Sequence, residues 1–75
     1  MTQIQIKYFL RTAEILNFTE AAKACSISQP TLSKHIQLLE KDLGFSLFER
    51  NTNSVMLTHA GKVMYKYWKS ETIQL

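Results

Sequence analysis

Apolar residues recur along this chain at helical spacing, and the breaks in that rhythm divide it into short elements. From Gln3 to Leu16, the residues Ile6, Phe9, Leu10, Ala13 and Leu16 follow the i, i+3, i+4, i+7 pattern of one helical face. This predicts a first helix. Ile4, Tyr8 and Ile15 fall on its opposite side, which a helix lying on a single core would leave polar, so the helix is expected to have two apolar neighbours. Asn17, Phe18 and Thr19 interrupt the pattern with cap-type side chains. Glu20 follows in the first turn of a short second helix ending near Cys25, where the helix dipole favours an acid. A third helix starts near Gln29, because Ser28 can cap it and Pro30 costs little in a first turn whose N–H would be unpaired anyway. Leu32, Ile36, Leu39 and Leu43 form its core stripe, and Gly44 supplies the left-handed stop. Leu47 to Arg50 and Val55 to Thr58 read as two short strands around the polar tip Asn51, Thr52, Asn53, Ser54. A last helix begins at Thr58, a natural N-cap, and runs past Gly61 to the chain end.

The predicted fold class is mainly α with a small two-stranded β-hairpin, a winged helix-turn-helix followed by a long C-terminal linker helix. Ala22 is small where the third helix must cross the second, Ile27 plugs the turn, and Leu32 and Ile36 close the pair. An ordinary three-helix bundle would use the same residue types, so this pattern alone leaves both architectures open.

Composition narrows the class. A chain of 75 residues supports one modest core. Its 45% hydrophobic content argues against disorder, and two Gly and one Pro are too few for an all-β sandwich. The formal charge of +3 is compatible with an acidic partner without requiring one. A lone Cys25 excludes a disulfide framework, and with His35 and His59 as its companions there is no zinc-ligand spacing, so no metal or other cofactor is expected in this domain. Cys25 reads as a small buried hydrophobe in preference to a redox sensor. Without a signal-peptide core or an apolar run of the ~20 residues that span a bilayer, a soluble, cytoplasmic protein with no membrane partner is expected.

The outward face of the third helix carries the candidate chemistry. Pro30, Lys34, Gln37 and Lys41 lie opposite the core stripe, with Ser33 and Leu38 flanking them and Gln29 on the first exposed turn. A glutamine amide offers a donor and an acceptor together to an adenine edge; Pro30 and Thr31 present apolar atoms to a thymine methyl; Ser33 and Lys34 suit base edges or phosphates. A solvated helix face is the alternative reading of the same residues.

The stretches N-F-T-E-A-A (17 to 22), I-S-Q-P-T-L-S-K-H-I (27 to 36), L-E-K-D-L-G (39 to 44), L-F-E-R (47 to 50) and L-T-H-A-G (57 to 61) resemble, in order and spacing, the signatures of LysR-type transcriptional regulators. The likeness covers about 60 of the 75 residues. It implies sequence-specific binding to double-stranded DNA at a dyad operator, as the operator-reading domain of a bacterial regulator. The third helix (about 29 to 43) would enter the major groove and the hairpin (about 47 to 58) would lie at the minor groove. By position, Gln29, Pro30, Ser33 and Lys34 would make base-edge contacts, Thr31, Gln37 and Arg50 would serve the phosphate backbone, and Asn51, Thr52 and Asn53 would form the wing. The family commonly carries an arginine where this chain has Asn53, and Ser26 stands where many other helix-turn-helix turns have glycine.

The resemblance further implies residues 1–58 as the DNA-binding domain and 59–75 as a linker and dimerisation helix. A small-molecule effector would bind a C-terminal domain outside this chain. The expected state is a homodimer, with a tetramer and contact with RNA polymerase belonging to the full-length context. In the last helix Ala60, Val63, Met64 and Tyr67 form one stripe, Tyr65, Trp68 and Leu75 lie to one side, and Lys62, Lys66 and Lys69 gather on another. Ile4, Tyr8, Ile15, Met64, Tyr67 and Trp68 are the expected dimerisation residues. The alternative is that Trp68 caps the monomer's own core. Catalysis is not expected, since no nucleophile sits in a motif with a base and the six acids are scattered. A winged helix serving only protein interaction stays open as a rival, with Leu38 in its favour and the lysines against it.

Overall fold

The computed structural model orders the chain as α1 (Gln3–Ile15), α2 (Phe18–Ala24), α3 (Gln29–Leu43), β1 (Phe48–Arg50), β2 (Val55–Leu57) and α4 (His59–Gln74). It describes residues 1–51 and 54–74, with side chains through residue 71. Thr52, Asn53 and Leu75, named above, lie outside the described residues. The order and type of the elements are those of a winged helix-turn-helix, as the hydrophobic pattern predicted.

Local chemistry sets each boundary. Thr2 and Gln5 form a capping box at the start of α1, with the Thr2 hydroxyl accepting from the Gln5 amide and the Gln5 side chain accepting from the Thr2 amide. Asn17 caps α2 by accepting from the Glu20 N–H, and Ser28 caps α3 by accepting from the Thr31 N–H. Between them, the Ile27 N–H donates to the Ala22 carbonyl and the Ser26 N–H to the Lys23 carbonyl. This is the paired closure of a Schellman turn, with Ser26 in the left-handed position at φ 59° and Ile27 packed against the core. The helix-turn-helix angle is therefore fixed by backbone bonds as well as by the buried Ala21 and Ala22. Gly44 ends α3 at φ 84°.

Phe9, Leu32, Ile36, Leu39 and Leu47 are fully buried at the centre, each contributing on the order of 1.5–3 kcal/mol of transfer free energy. The rings of Phe9, Phe18, Phe48 and Trp68 form a chain of tilted and edge-to-face contacts, each 5.5 Å between centroids. Thr12, also buried, satisfies its hydroxyl on the Tyr8 carbonyl at 2.8 Å.

One position differs from the expectation, and three of those assigned to a dimer seam are partly or wholly engaged within the monomer. Leu16, placed in the α1 core stripe, is the left-handed C-cap of α1 and is exposed, because the stripe ends where the helix does. Tyr8 does not point away from the protein: α3 packs on that side of α1, and the Tyr8 ring stands edge-on to His35 at 5.2 Å. Met64 is half-buried against the core. Trp68, assigned to a dimer seam, is only 7% exposed and packs edge-on to Phe9 within the monomer. Helix α1 does have two apolar sides, and this chain's own helices supply much of the cover on both.

Candidate nucleic-acid interface

The hairpin is held to α3 and α4 by a compact set of bonds. The Glu40 carboxylate of α3 accepts from the backbone N–H of Leu47 at 2.7 Å and of Phe48 at 3.3 Å, where β1 begins. Thr58 donates its N–H to the Leu47 carbonyl at 3.0 Å and its hydroxyl to the Ser46 carbonyl at 2.8 Å, while that hydroxyl accepts from Gly61 and starts α4. Strand register places Phe48 opposite Leu57, Glu49 opposite Met56 and Arg50 opposite Val55. Across the tip, Asn51 donates to Ser54 through both backbone and side-chain amides. Glu40 was not singled out from the sequence. An acid late in a helix reads as solvated, and only the fold reveals that it anchors two amides from the next segment.

On α3, Gln29, Pro30, Thr31, Lys34, Gln37 and Lys41 are all exposed and Ser33 is half-buried. The Gln29 side-chain amide donates to Ser33 Oγ at 3.1 Å, tying together two of the residues assigned to base edges. The Thr31 hydroxyl accepts from Ser28, at the start of the same helix. His35 faces the other way, towards Tyr8, with its buried Nδ1 lacking a hydrogen-bond partner among the described residues.

Glu14 pairs with Lys69 and Arg11, Glu20 with Lys23, and Asp42 with the N-terminal ammonium, while Glu40 serves the backbone. Among the described residues, Lys34, Lys41 and Arg50 have no acid within ion-pair distance. The Arg50 guanidinium instead lies over the Phe18 ring, 4.3 Å from its centroid. Lys7, Lys62 and Lys66 are likewise without an acid at ion-pair distance among the described residues, and the exposed, unpaired Glu49 adjoins Arg50 on the hairpin. On the outward face of α3 itself Lys34 and Lys41 stand beside amide and hydroxyl groups, which suits a polyanion carrying donor and acceptor edges.

The chain matches the family model for bacterial regulatory helix-turn-helix proteins of the lysR family over residues 4–62. It belongs to that family. It is 52% identical over 59 residues to the transcriptional regulator XapR of Escherichia coli strain K12, a match spanning 79% of this chain and 20% of XapR. Its fold superposes on the DNA-binding domain of CbnR, solved as a complex with DNA, with a TM-score of 0.92 at 36% identity, covering 99% of this chain and 85% of that one. Full-length OxyR from Pseudomonas aeruginosa gives a TM-score of 0.91 at 35% identity over 99% of this chain and 25% of OxyR. This LysR-family chain therefore spans a small part of such full-length regulators.

A second surface lies away from the reading face. Ile4, Ile6, Tyr8 and Leu10 of α1 share an open groove with Tyr67 and Trp68 of α4. Ile4 and Tyr67 are well exposed there, Tyr67 at 56%, whereas Trp68 offers little more than an edge. Ile15 and Met64 are not among the residues described as lining this groove. No group of three or more His, Cys, Asp or Glu among the described residues is arranged to hold a metal ion, and no described helix is long and apolar enough to cross a membrane.

Proposed function

We propose that this LysR-family domain reads double-stranded operator DNA by inserting α3 into the major groove. Gln29, Pro30, Ser33 and Lys34 contact base edges; Thr31, Gln37 and Arg50 contact phosphates; and the hairpin, with Asn51, Thr52 and Asn53, lies along the minor groove. The observation that carries this reading is the outward face of α3, where Lys34 and Lys41, with no acid at ion-pair distance among the described residues, stand among the exposed amides of Gln29 and Gln37. That the relatives are transcriptional regulators supports reading the domain as a binding module. Residues 1–58 form the reading unit and 59–75 the linker helix, although Trp68 also closes the core. Two copies pair through the α1 and α4 groove, with Ile4 and Tyr67 at the seam, to match a dyad operator. A C-terminal effector domain, higher oligomers and RNA polymerase contact belong to the full-length cytoplasmic regulator.

Titration of duplex DNA at several salt concentrations tests the reading. With roughly six to ten phosphates contacted by a dimer, log K falls against log salt with a slope near −0.9 per contact. Weak binding indifferent to salt overturns it, and leaves the protein-interaction reading.

A further inference from the structure

Building on the assignment of Arg50 to a phosphate, we infer that Phe18 is a positioning residue that holds the Arg50 guanidinium ready for the DNA backbone without neutralising it. Phe18 opens α2, and its ring is nine-tenths buried, held edge-on against Phe48 at 5.5 Å. Arg50 closes β1 and is exposed. The guanidinium carbon sits 4.3 Å from the Phe18 centroid, within the range at which a ring quadrupole attracts a cation.

The other held cations of this chain are secured differently. Arg11 is 3.8 Å and Lys69 2.8 Å from the shared carboxylate of Glu14, and Lys23 is 3.2 Å from Glu20, so each is held by an acid that offsets positive charge. The residue next to Arg50, Glu49, projects from the opposite face of the hairpin because side chains alternate along a strand. A carboxylate would fix a guanidinium as well as a ring does, but it would occupy the N–H fork and remove the charge. A ring that engages the flat face leaves the fork edge free, so that two N–H groups can meet a phosphodiester side by side. On the Phe18 side of the pair, Asn17, Thr19, Asn51 and Ser54 line a shallow cleft together with Leu16, Phe18 and Val55. No acid among the described residues lines that cleft, so a backbone phosphate near Arg50 meets no carboxylate from it. The ring also ties the hairpin arm to the helix-turn-helix unit, so that the phosphate contact keeps a constant distance from α3.

The test is a double-mutant cycle on binding to a short mixed-sequence DNA duplex, with folding of each variant checked by circular dichroism. Arg50→Ala weakens binding and lowers the salt slope by about 0.9, one phosphate. Phe18→Leu, which keeps an apolar filler, weakens binding by about two- to five-fold, the equilibrium equivalent of an exposed cation–π contact. It has no further effect in the Arg50→Ala background, and Phe18→Tyr, which keeps a ring, restores binding. If Arg50→Ala binds like the unmodified chain, the phosphate assignment fails and the inference falls with it. If Arg50→Ala weakens binding but Phe18→Leu does not, or weakens it equally in both backgrounds, the assignment stands and the positioning role is overturned. Should Phe18→Leu not fold, proton NMR of the unmodified chain decides. Upfield ring-current shifts of the Arg50 side-chain protons that persist in the DNA complex support the role, and their absence in either state overturns it.

Discussion

The carbonyl oxygen of Leu47 lies where a side chain on Gly61 would have to be: a Cβ built on Gly61 would stand 2.1 Å from it. That oxygen also accepts the Thr58 N–H, so α4 and the base of the hairpin meet backbone to backbone. Glycine is needed here for close approach, since no positive φ is involved. Gly61→Ala is therefore expected to destabilise the fold at or above the upper end of the ~1–3 kcal/mol range for overpacking, because neither backbone can yield without breaking the Thr58 bond. Gly44→Ala meets no atom within 4 Å and carries only the strain of its left-handed backbone, about 1 kcal/mol. Urea unfolding of the two variants checks this order, and a smaller loss at Gly61 than at Gly44 would refute it.

Glu14 joins α1 to α4 by accepting from Tyr65 at 3.0 Å and Lys69 at 2.8 Å. The Lys69 hydrogen bond, helped by Tyr65 and opposed by partial burial, holds the Glu14 carboxyl below its ordinary value. Lys69 is raised chiefly by the same bond, and Tyr65 is raised first by burial and then by Glu14. A lowered carboxyl stabilises the folded state above its unfolded pKa, and the gain is lost as pH falls through the folded value. For the raised Lys69 and Tyr65 the gain is present below their ordinary values and disappears as pH rises through the shifted ones. Glu14→Gln should therefore flatten both the acid and the alkaline limbs of a plot of unfolding midpoint against pH. The change should be modest and should shrink in high salt, since these groups are partly exposed. Unaltered limbs would mean that the clasp contributes nothing in solution.

Much of the fold was legible because several signals agreed at each boundary. Asn17, Ser28, Gly44 and Thr58 are cap residues flanking periodic runs, and each stands at the end of its helix. The exposed face of α3 was legible for the same reason, since its core stripe left one side for Gln29, Lys34 and Gln37. What periodicity could not supply was the neighbour of each remaining face. The helical phase of Tyr8 called for a second neighbour without naming it, and that neighbour includes His35 of α3. Trp68 lies on the apolar side of α4 whether that side covers the monomer core or a second subunit, and only the three-dimensional arrangement puts it on Phe9. Glu40 and Phe18 act on residues in later elements, a relationship that no local pattern encodes.

That placement separates the roles of two adjacent residues on α4. Trp68→Ala should cost about 3–5 kcal/mol of stability, as for other large buried aromatics. Tyr67 is more than half exposed at the mouth of the groove, so Tyr67→Glu should leave the fold intact while putting a charge into the proposed seam. Thermal unfolding with analytical ultracentrifugation distinguishes them. Tyr67→Glu should melt near the unmodified chain and sediment as a monomer. A variant that stays dimeric would exclude this groove as the pairing surface.

The division of labour between base reading and phosphate holding can be tested on α3 itself. Gln29 is uncharged and tied to Ser33 by its amide, whereas Lys34, also exposed on α3, is a cation without an acid partner among the described residues. A bidentate amide contact to an adenine discriminates by about 1–3 kcal/mol against the wrong base, and its loss releases no counterion. Gln29→Ala should therefore relax the preference at one base pair while leaving the salt slope unchanged. Lys34→Ala removes a charge and should lower the slope by about 0.9 if it meets a phosphate, but should change sequence preference as well as affinity if it reaches a base edge, as proposed. Ser33→Ala frees the Gln29 amide to rotate, so it should blunt the same base preference as Gln29→Ala, to a smaller degree. Binding to a panel of single-base operator variants at two salt concentrations resolves all three. If Ser33→Ala and Gln29→Ala affect different base pairs, the hydrogen bond between them does not orient the reader, and the two side chains read the groove independently.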